Sequence, residues 1–354
     1  MFHSPSRHKD FGVFMPMANG GWIISRNTPT LDGLYPQNRA AAVLADQLGF
    51  DFLMAMGKFR GFGGDTNHWG VTLESVTLMA ALAEATRNIR IWATLHPMLQ
   101  NPAVAAKMIT TLDHISGGRA GLNIVAGAYR GEFEQMGAWD ESLGHDGRYR
   151  LTEEWTSIIK QLWAEGRADH AGEFFTMQDC QSLPRPLSKP RPSIICAGMS
   201  ERGFQFSVRE ADAVFIGGRT PEERRAASLR AKAAAERMGT TIRTYAMCTI
   251  VHGETDAAAE ATARLYDEGA DIEAIIAMLE SWGMGGGDLR ARALSAGAFM
   301  TQTAIGSPAT CAEKVQAFVD DAELDGLMLI FPDYVEGLTL FGAEILPGLR
   351  TVYS

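Results

Sequence analysis

The sequence predicts a (β/α)₈ barrel, on three observations. Short apolar runs end at glycine or proline, a helix-patterned segment follows most of them, and the alternation yields eight strand-helix units over 354 residues. Right-handed parallel crossovers make a closed barrel the economical topology. An open doubly wound sheet usually has fewer strands and leaves the last units unplaced. The length exceeds ordinary single-domain size, but such barrels reach it with insertions. Residues 1–354 are therefore read as one barrel domain, with insertions at about 165–192 and 267–305.

Taken in order, Phe11-Gly-Val-Phe-Met-Pro16 is the first strand, stopped by Pro16 and released into the turn Ala18-Asn-Gly-Gly21. Residues 37–48 form an apolar-striped helix closed by Gly49. The second strand, 50–56, opens into the glycine-dense loop 57–64. That loop lacks the third glycine of a dinucleotide fingerprint and no helix opens directly behind it, so a Rossmann reading is rejected. A helix over 72–86 precedes the third strand, 89–94, and Pro102 opens the next helix. Gly121-Leu-Asn-Ile-Val125 is the fourth strand and carries an amide, Asn123, inside an apolar run. A buried amide is tolerated when its donors and acceptors find partners, in the core or in a ligand.

A helix over 148–164 leads into the first insertion, where Phe174-Phe-Thr-Met177 reads as a short surface strand. Strands five and six are 193–197 and 211–216, strand seven is 243–251, and a helix over 256–266 leads into the second insertion. A helix over 308–321 and strand eight, 326–331, close the alternation.

Composition narrows the function. With 46% apolar and 21% charged residues the chain is an ordinary globular protein, and a net charge of −10 with dispersed arginines argues against nucleic acid and anionic lipid as partners. Cys180, Cys196, Cys248 and Cys311 show no zinc spacing and read as free thiols. With no signal-peptide pattern and no apolar run of membrane-spanning length, the expectation is a cytoplasmic protein.

In a barrel the site is built at the C-terminal ends of the strands. Those ends supply Met56 and Lys58, Thr94 and His96, Asn123 and Glu132, Gly198-Met-Ser200, and Gly217-Gly218. Most are neutral polar groups, with no Gly-x-Ser-x-Gly elbow and no metal-binding histidine motif. Such a set points to an organic cofactor that supplies the chemistry while the protein positions it. Gly198-Met-Ser200 before a helix reads as a phosphate cradle or as a plain turn. His96 reads as a substrate-orienting or a structural side chain.

Several motifs carry a resemblance. Asp113-His-Ile-Ser-Gly-Gly-Arg119, Gly121-Leu-Asn-Ile-Val125, His145-Asp-Gly-Arg-Tyr149 and Ala197-Gly-Met-Ser200 resemble the bacterial-luciferase-like flavin monooxygenases over nearly the whole chain. Within them, Ile24-Ser-Arg-Asn-Thr-Pro29, residues 56–64, Phe174–Cys180 and Glu132–Gly137 are most similar to the pyrimidine (uracil) monooxygenase group of the Rut pathway. The resemblance implies a two-component monooxygenase that uses reduced FMN and O₂, acts through a flavin peroxide on a small heterocyclic amide, and depends on NAD(P)H only through a separate flavin reductase. It places Gly57, Lys58, Asn123, Glu132, Arg148, Tyr149 and Ser200 at the flavin. Thr94, Asn123 and Glu132 become the catalytic residues, and Met56, His96, Ala126 and Ala128 border the substrate. No metal is expected, and a homo-oligomer, dimer or tetramer, is. Where the uracil enzymes have Thr-Gly-Trp, this chain has Ala126-Gly-Ala128, which implies a wider, more apolar pocket. The same loop resembles that of dimethyl sulfone and alkanesulfonate monooxygenases. A sulfone or sulfonate oxygenase is therefore the alternative, together with a non-catalytic or F420-using barrel.

Overall fold

A computed structural model describes residues 8–127, 129–198, 200–218, 220–283 and 286–354. β1 (Asp10–Phe14), α1 (Tyr35–Gln47), β2 (Phe52–Met54), α2 (Ser75–Ala85), β3 (Arg90–Leu95), α3 (Pro102–Ser116) and β4 (Ala120–Ile124) alternate as expected. A short helix α4 (Arg130–Glu134) and the long α5 (Gly144–Glu165) precede a two-stranded antiparallel hairpin, β5 (Arg167–Ala171) and β6 (Thr176–Gln181). Then follow β7 (Ser193–Cys196), α6 (Glu201–Glu210), β8 (Ala213–Phe215), α7 (Pro221–Arg237), β9 (Arg243–His252) and α8 (Asp256–Glu268). The chain ends with α9 (Ile272–Ser281), α10 (Leu289–Ala296), β10 (Gln302–Gly306), α11 (Pro308–Asp321), β11 (Gly326–Ile330) and C-terminal helical turns.

Eight parallel strands close the barrel in the order β11-β1-β2-β3-β4-β7-β8-β9, with β9 pairing β11 to complete the ring. Side chains alternate across each strand. Phe11, Val13, Leu53, Leu122 and Ile124 face the helical layer, while Phe14, Phe52, Trp92 and Tyr245 fill the interior. Phe52 stacks on Trp92 at 4.0 Å, and a Cβ at Gly12 would fall 2.2 Å from the Phe52 ring. Local signals set the helix ends. In α3, Asn101 accepts from the Ala103 N–H, Pro102 takes the first turn, and Gly117 closes the helix at φ 69°.

Two differences from the sequence reading affect the site. Residues 302–306, of which 302–305 are read only as the end of the second insertion, form a ninth parallel strand, β10, which pairs with the upper half of the long β9. The segment 267–305 also contributes α9, whose Ile275, Met278 and Leu279 join the interior cluster with Trp22, Phe62 and Trp69. Asp271 clamps this cover in place: its carboxylate accepts from the Thr66 N–H at 2.7 Å, the Thr66 hydroxyl at 2.8 Å and the Ala274 N–H at 3.3 Å. Second, β2 is shorter than expected. Ala55 and Met56 leave the sheet at its C-terminal end, where the loop to α2 begins. Among the described residues no helix is long and apolar enough to cross a membrane.

Candidate active site

The register of β3 against β4 sets Thr94 beside Asn123. Both side chains are buried, and the Asn123 amide donates to Thr94 Oγ1 at 2.9 Å. The Thr94 hydroxyl in turn donates to the Ala55 carbonyl at 2.6 Å, so its proton is already committed. Among the described residues, Asn123 Oδ1 has no hydrogen-bond partner despite its burial. An unsatisfied buried acceptor costs about 1–3 kcal/mol, which marks a place where a donor is missing.

The loop after β2 supplies the second group. Glu132, in the first turn of α4, accepts from the Phe59 N–H at 2.5 Å and the Arg60 N–H at 3.3 Å, and its Oε1 lies 3.6 Å from the Lys58 ammonium. Both side chains are buried. Lys58 Nζ also sits 4.3 Å from the ring centroids of Phe62 and Tyr129 and 6.0 Å from that of Trp69. Burial lowers the Lys58 pKa to about 8, against the pull of Glu132 in the other direction. The ammonium is thus held by one carboxylate and an aromatic cage.

His96 joins the loops. One ring nitrogen lies 3.1 Å from the Val125 carbonyl and the other 3.0 Å from the Gly57 carbonyl. A neutral imidazole can donate to only one of these, and burial lowers the pKa, against the hydrogen bond to Gly57 and the Glu132 charge. Gly57 is required here, because a Cβ would lie 2.7 Å from His96 Nε2. Met56 is half-buried and packs against both the interior and the outer cluster, and Ala126 is half-buried in the loop after β4. Ala128 lies outside the described residues.

A third group forms at β7, the next strand round from β4. Ser200 caps α6 by accepting from the Gly203 N–H at 3.0 Å. The Tyr149 hydroxyl hydrogen-bonds with Ser200, which works against the rise in its pKa caused by burial. The backbone is tight: a Cβ at Gly198 would lie 2.7 Å from Gly203 Cα, and one at Gly203 would strike the Tyr149 hydroxyl. Arg148 is half-buried, with its guanidinium 4.9 Å from the Trp139 ring centroid. The expected residues therefore fall into one group at the ends of β2 to β4 and a second at β7 and α5.

The sequence reading did not assign the aromatic cage or its backing. Phe14, Trp22, Trp69, Phe62 and Tyr129 touch in succession, with centroids 4.8 to 5.5 Å apart. Trp69 holds φ 58°, a conformation bulky side chains avoid, and its indole N–H donates to the Gly21 carbonyl at 2.6 Å. The only sequence signal was the aromatic content of the loop between β2 and α2.

A closed parallel barrel, a buried neutral polar pair at the ends of β3 and β4 and a tight glycine turn at a helix start suit a barrel enzyme whose chemistry comes from a bound organic cofactor. Residues 10–322 match the family described as luciferase-like monooxygenase, and the chain belongs to that family of flavin-dependent monooxygenases. It is 38% identical over 346 residues to the pyrimidine monooxygenase RutA of Acinetobacter baylyi, covering 95% of this chain and 93% of the relative. The protein of the same name from Stutzerimonas stutzeri is 39% identical, with 97% of each chain covered. Among solved structures, riboflavin lyase RcaE superposes with a TM-score of 0.85 at 19% identity, covering 97% of this chain and 92% of that one. DmoA from Hyphomicrobium sulfonivorans gives 0.82 at 20%, covering 97% and 88%. These two likenesses concern the fold.

Proposed function

We propose that this chain is the oxygenase half of a two-component system. It takes reduced FMN from a separate flavin reductase, the only component to use NAD(P)H, and uses O₂ to oxygenate a small heterocyclic amide of the pyrimidine type. The observation that carries the reading is the buried Thr94–Asn123 pair with its partnerless Asn123 Oδ1. A flat ring bearing N–H groups fits such an acceptor, while the glycines at 57, 198 and 203 allow the close packing of His96 and Tyr149 against the strand-end loops. Gly57, Lys58, Asn123 and Glu132 would hold the ring system, and Arg148, Tyr149 and Ser200 the phosphate. When bound, reduced FMN supplies the electrons that O₂ activation requires.

The protein's part follows from its own groups. Asn123 offers an acceptor toward the site. The Thr94 hydroxyl donates its hydrogen bond to the Ala55 carbonyl, so it offers no acidic proton at this wall. Lys58 holds Glu132 as a buried acceptor that can take an amide N–H from a substrate. Met56, His96 and Ala126 would border the substrate, with the cage rings and α9 keeping water out. Relatives named pyrimidine monooxygenase, at 38 and 39% identity over almost the whole length, support the substrate class.

A sulfone or sulfonate reading needs a free cation for the S–O group. Arg130 is exposed and tied to Glu134 and Glu141, which favours the amide. Exposed Val104 and Ile115 on α3 favour a homo-oligomer, dimer or tetramer.

The test is a single-turnover assay with photoreduced FMN, O₂ and either uracil, a cyclic amide or dimethyl sulfone. Ring opening of uracil or the cyclic amide is expected. Turnover of the sulfone alone overturns the substrate class, flavin oxidation without any product overturns the oxygenase, and a preference for F420 overturns the cofactor.

A further inference from the structure

Outside the barrel mouth, a cavity of about 310 Å³ opens between α7, α11 and the strands β9 and β10. This is at the small end of ligand pockets, which run to roughly 300–1,000 Å³. Its walls are mainly apolar, from Phe318, Ala304 and the buried Cys248 thiol. One wall is not. Arg224, in the first turn of α7, lines the cavity and is 6% exposed. One guanidinium nitrogen, Nη1, donates to the Gly218 carbonyl at 3.1 Å, the group lies 4.9 Å from the Phe318 ring centroid, and Nε has no partner. Among the described residues, no carboxylate forms an ion pair with it.

A buried guanidinium is ordinarily paired, because removing its charge from water is costly. Here the cavity lining itself carries two cations, Arg224 and Lys314, and one carboxylate, Asp321. The Lys314 ammonium is anchored at the rim by the Ile305 carbonyl at 2.7 Å, against Asp321 on the same rim. The positive end of the 17-residue α7 adds to this, while Glu222 and Glu223 in its first turn are exposed to solvent and oppose it in part. Gly218 is the device that lets the arginine lie flat: at φ 151°, a Cβ there would fall 2.8 Å from Arg224 Cγ.

We infer that this cavity is a second ligand site, separate from the flavin site, for a small monoanion with a carboxylate head and a compact apolar body. The carboxylate pairs with Arg224 and Lys314, and the body packs on Phe318 and Ala304. Because Arg224 also holds the carbonyl of Gly218, just beyond β8, occupancy bears directly on the barrel rim.

Benzoate is the probe, titrated calorimetrically into the FMN-loaded protein, with benzamide and inorganic phosphate as comparison arms. One benzoate per chain is expected, with no binding of benzamide and weaker binding of phosphate. Arg224→Met should weaken benzoate at least tenfold. Ala317→Trp, at an exposed position on the rim, should block it while leaving Arg224 and flavin binding unchanged. Absence of benzoate binding, equal binding of benzamide, or tighter binding of phosphate overturns the inference. So does benzoate binding that survives both substitutions or is displaced by flavin.

Discussion

Asn123 donates through Nδ2 to Thr94 and leaves Oδ1 without a partner. If that oxygen is the ring-facing acceptor, Asn123→Ala should lower single-turnover product formation by about 100-fold, the size seen when a site loses one preorganised polar group. It should also weaken FMN binding in a fluorescence titration, and unchanged values of both would remove Asn123 from the site. The residue was legible because an amide inside Leu-Asn-Ile must be explained. The Lys58 cage was not, since Tyr129 and Phe62 come from loops after different strands and meet only in the closed barrel. Lys58 also gives a pH signature. Burial lowers its pKa from 10.5 to about 8 in the fold, so between these values the unfolded chain binds more protons and stability rises with pH. The contribution is complete above 10.5 and is lost as pH falls through 8. Relative to Lys58→Met, the native chain should gain unfolding free energy from pH 8 to pH 10 in urea titrations. A pH-independent difference contradicts the assignment.

Elements show where reading by pattern stops. The strand-helix alternation was visible in apolar runs and caps, as at Asn101, Pro102 and Gly117. β10 was not, because Gln-Thr-Ala-Ile-Gly is too short and too polar to stand out, and its strand character comes from pairing with β9. For the same reason α9 could be placed within an insertion but not over the barrel mouth. Asp271 makes that placement testable, since its carboxylate joins the start of α9 to the loop after β2. Asp271→Ala should cost about 1–3 kcal/mol in urea unfolding, the range for exposing buried donors. Amide exchange at Phe62 and His68 should quicken with it. Unchanged exchange in that loop would show that α9 does not hold it.

Across the whole molecule, the barrel sets which loops meet. The groups at the ends of β2, β3 and β4 and the glycine turn after β7 occupy neighbouring positions because β4 pairs directly with β7. The sequence could place each group at a strand end but not the distances that make Lys58, Glu132 and His96 one cluster. The central claim is oxygen transfer to an amide ring at this mouth. Its most direct measurement is a single turnover under ¹⁸O₂ with reduced FMN and uracil or a cyclic amide, followed by mass spectrometry. The account predicts a ring-opened product carrying ¹⁸O; flavin oxidation that releases only labelled hydrogen peroxide and leaves the ring intact would contradict it.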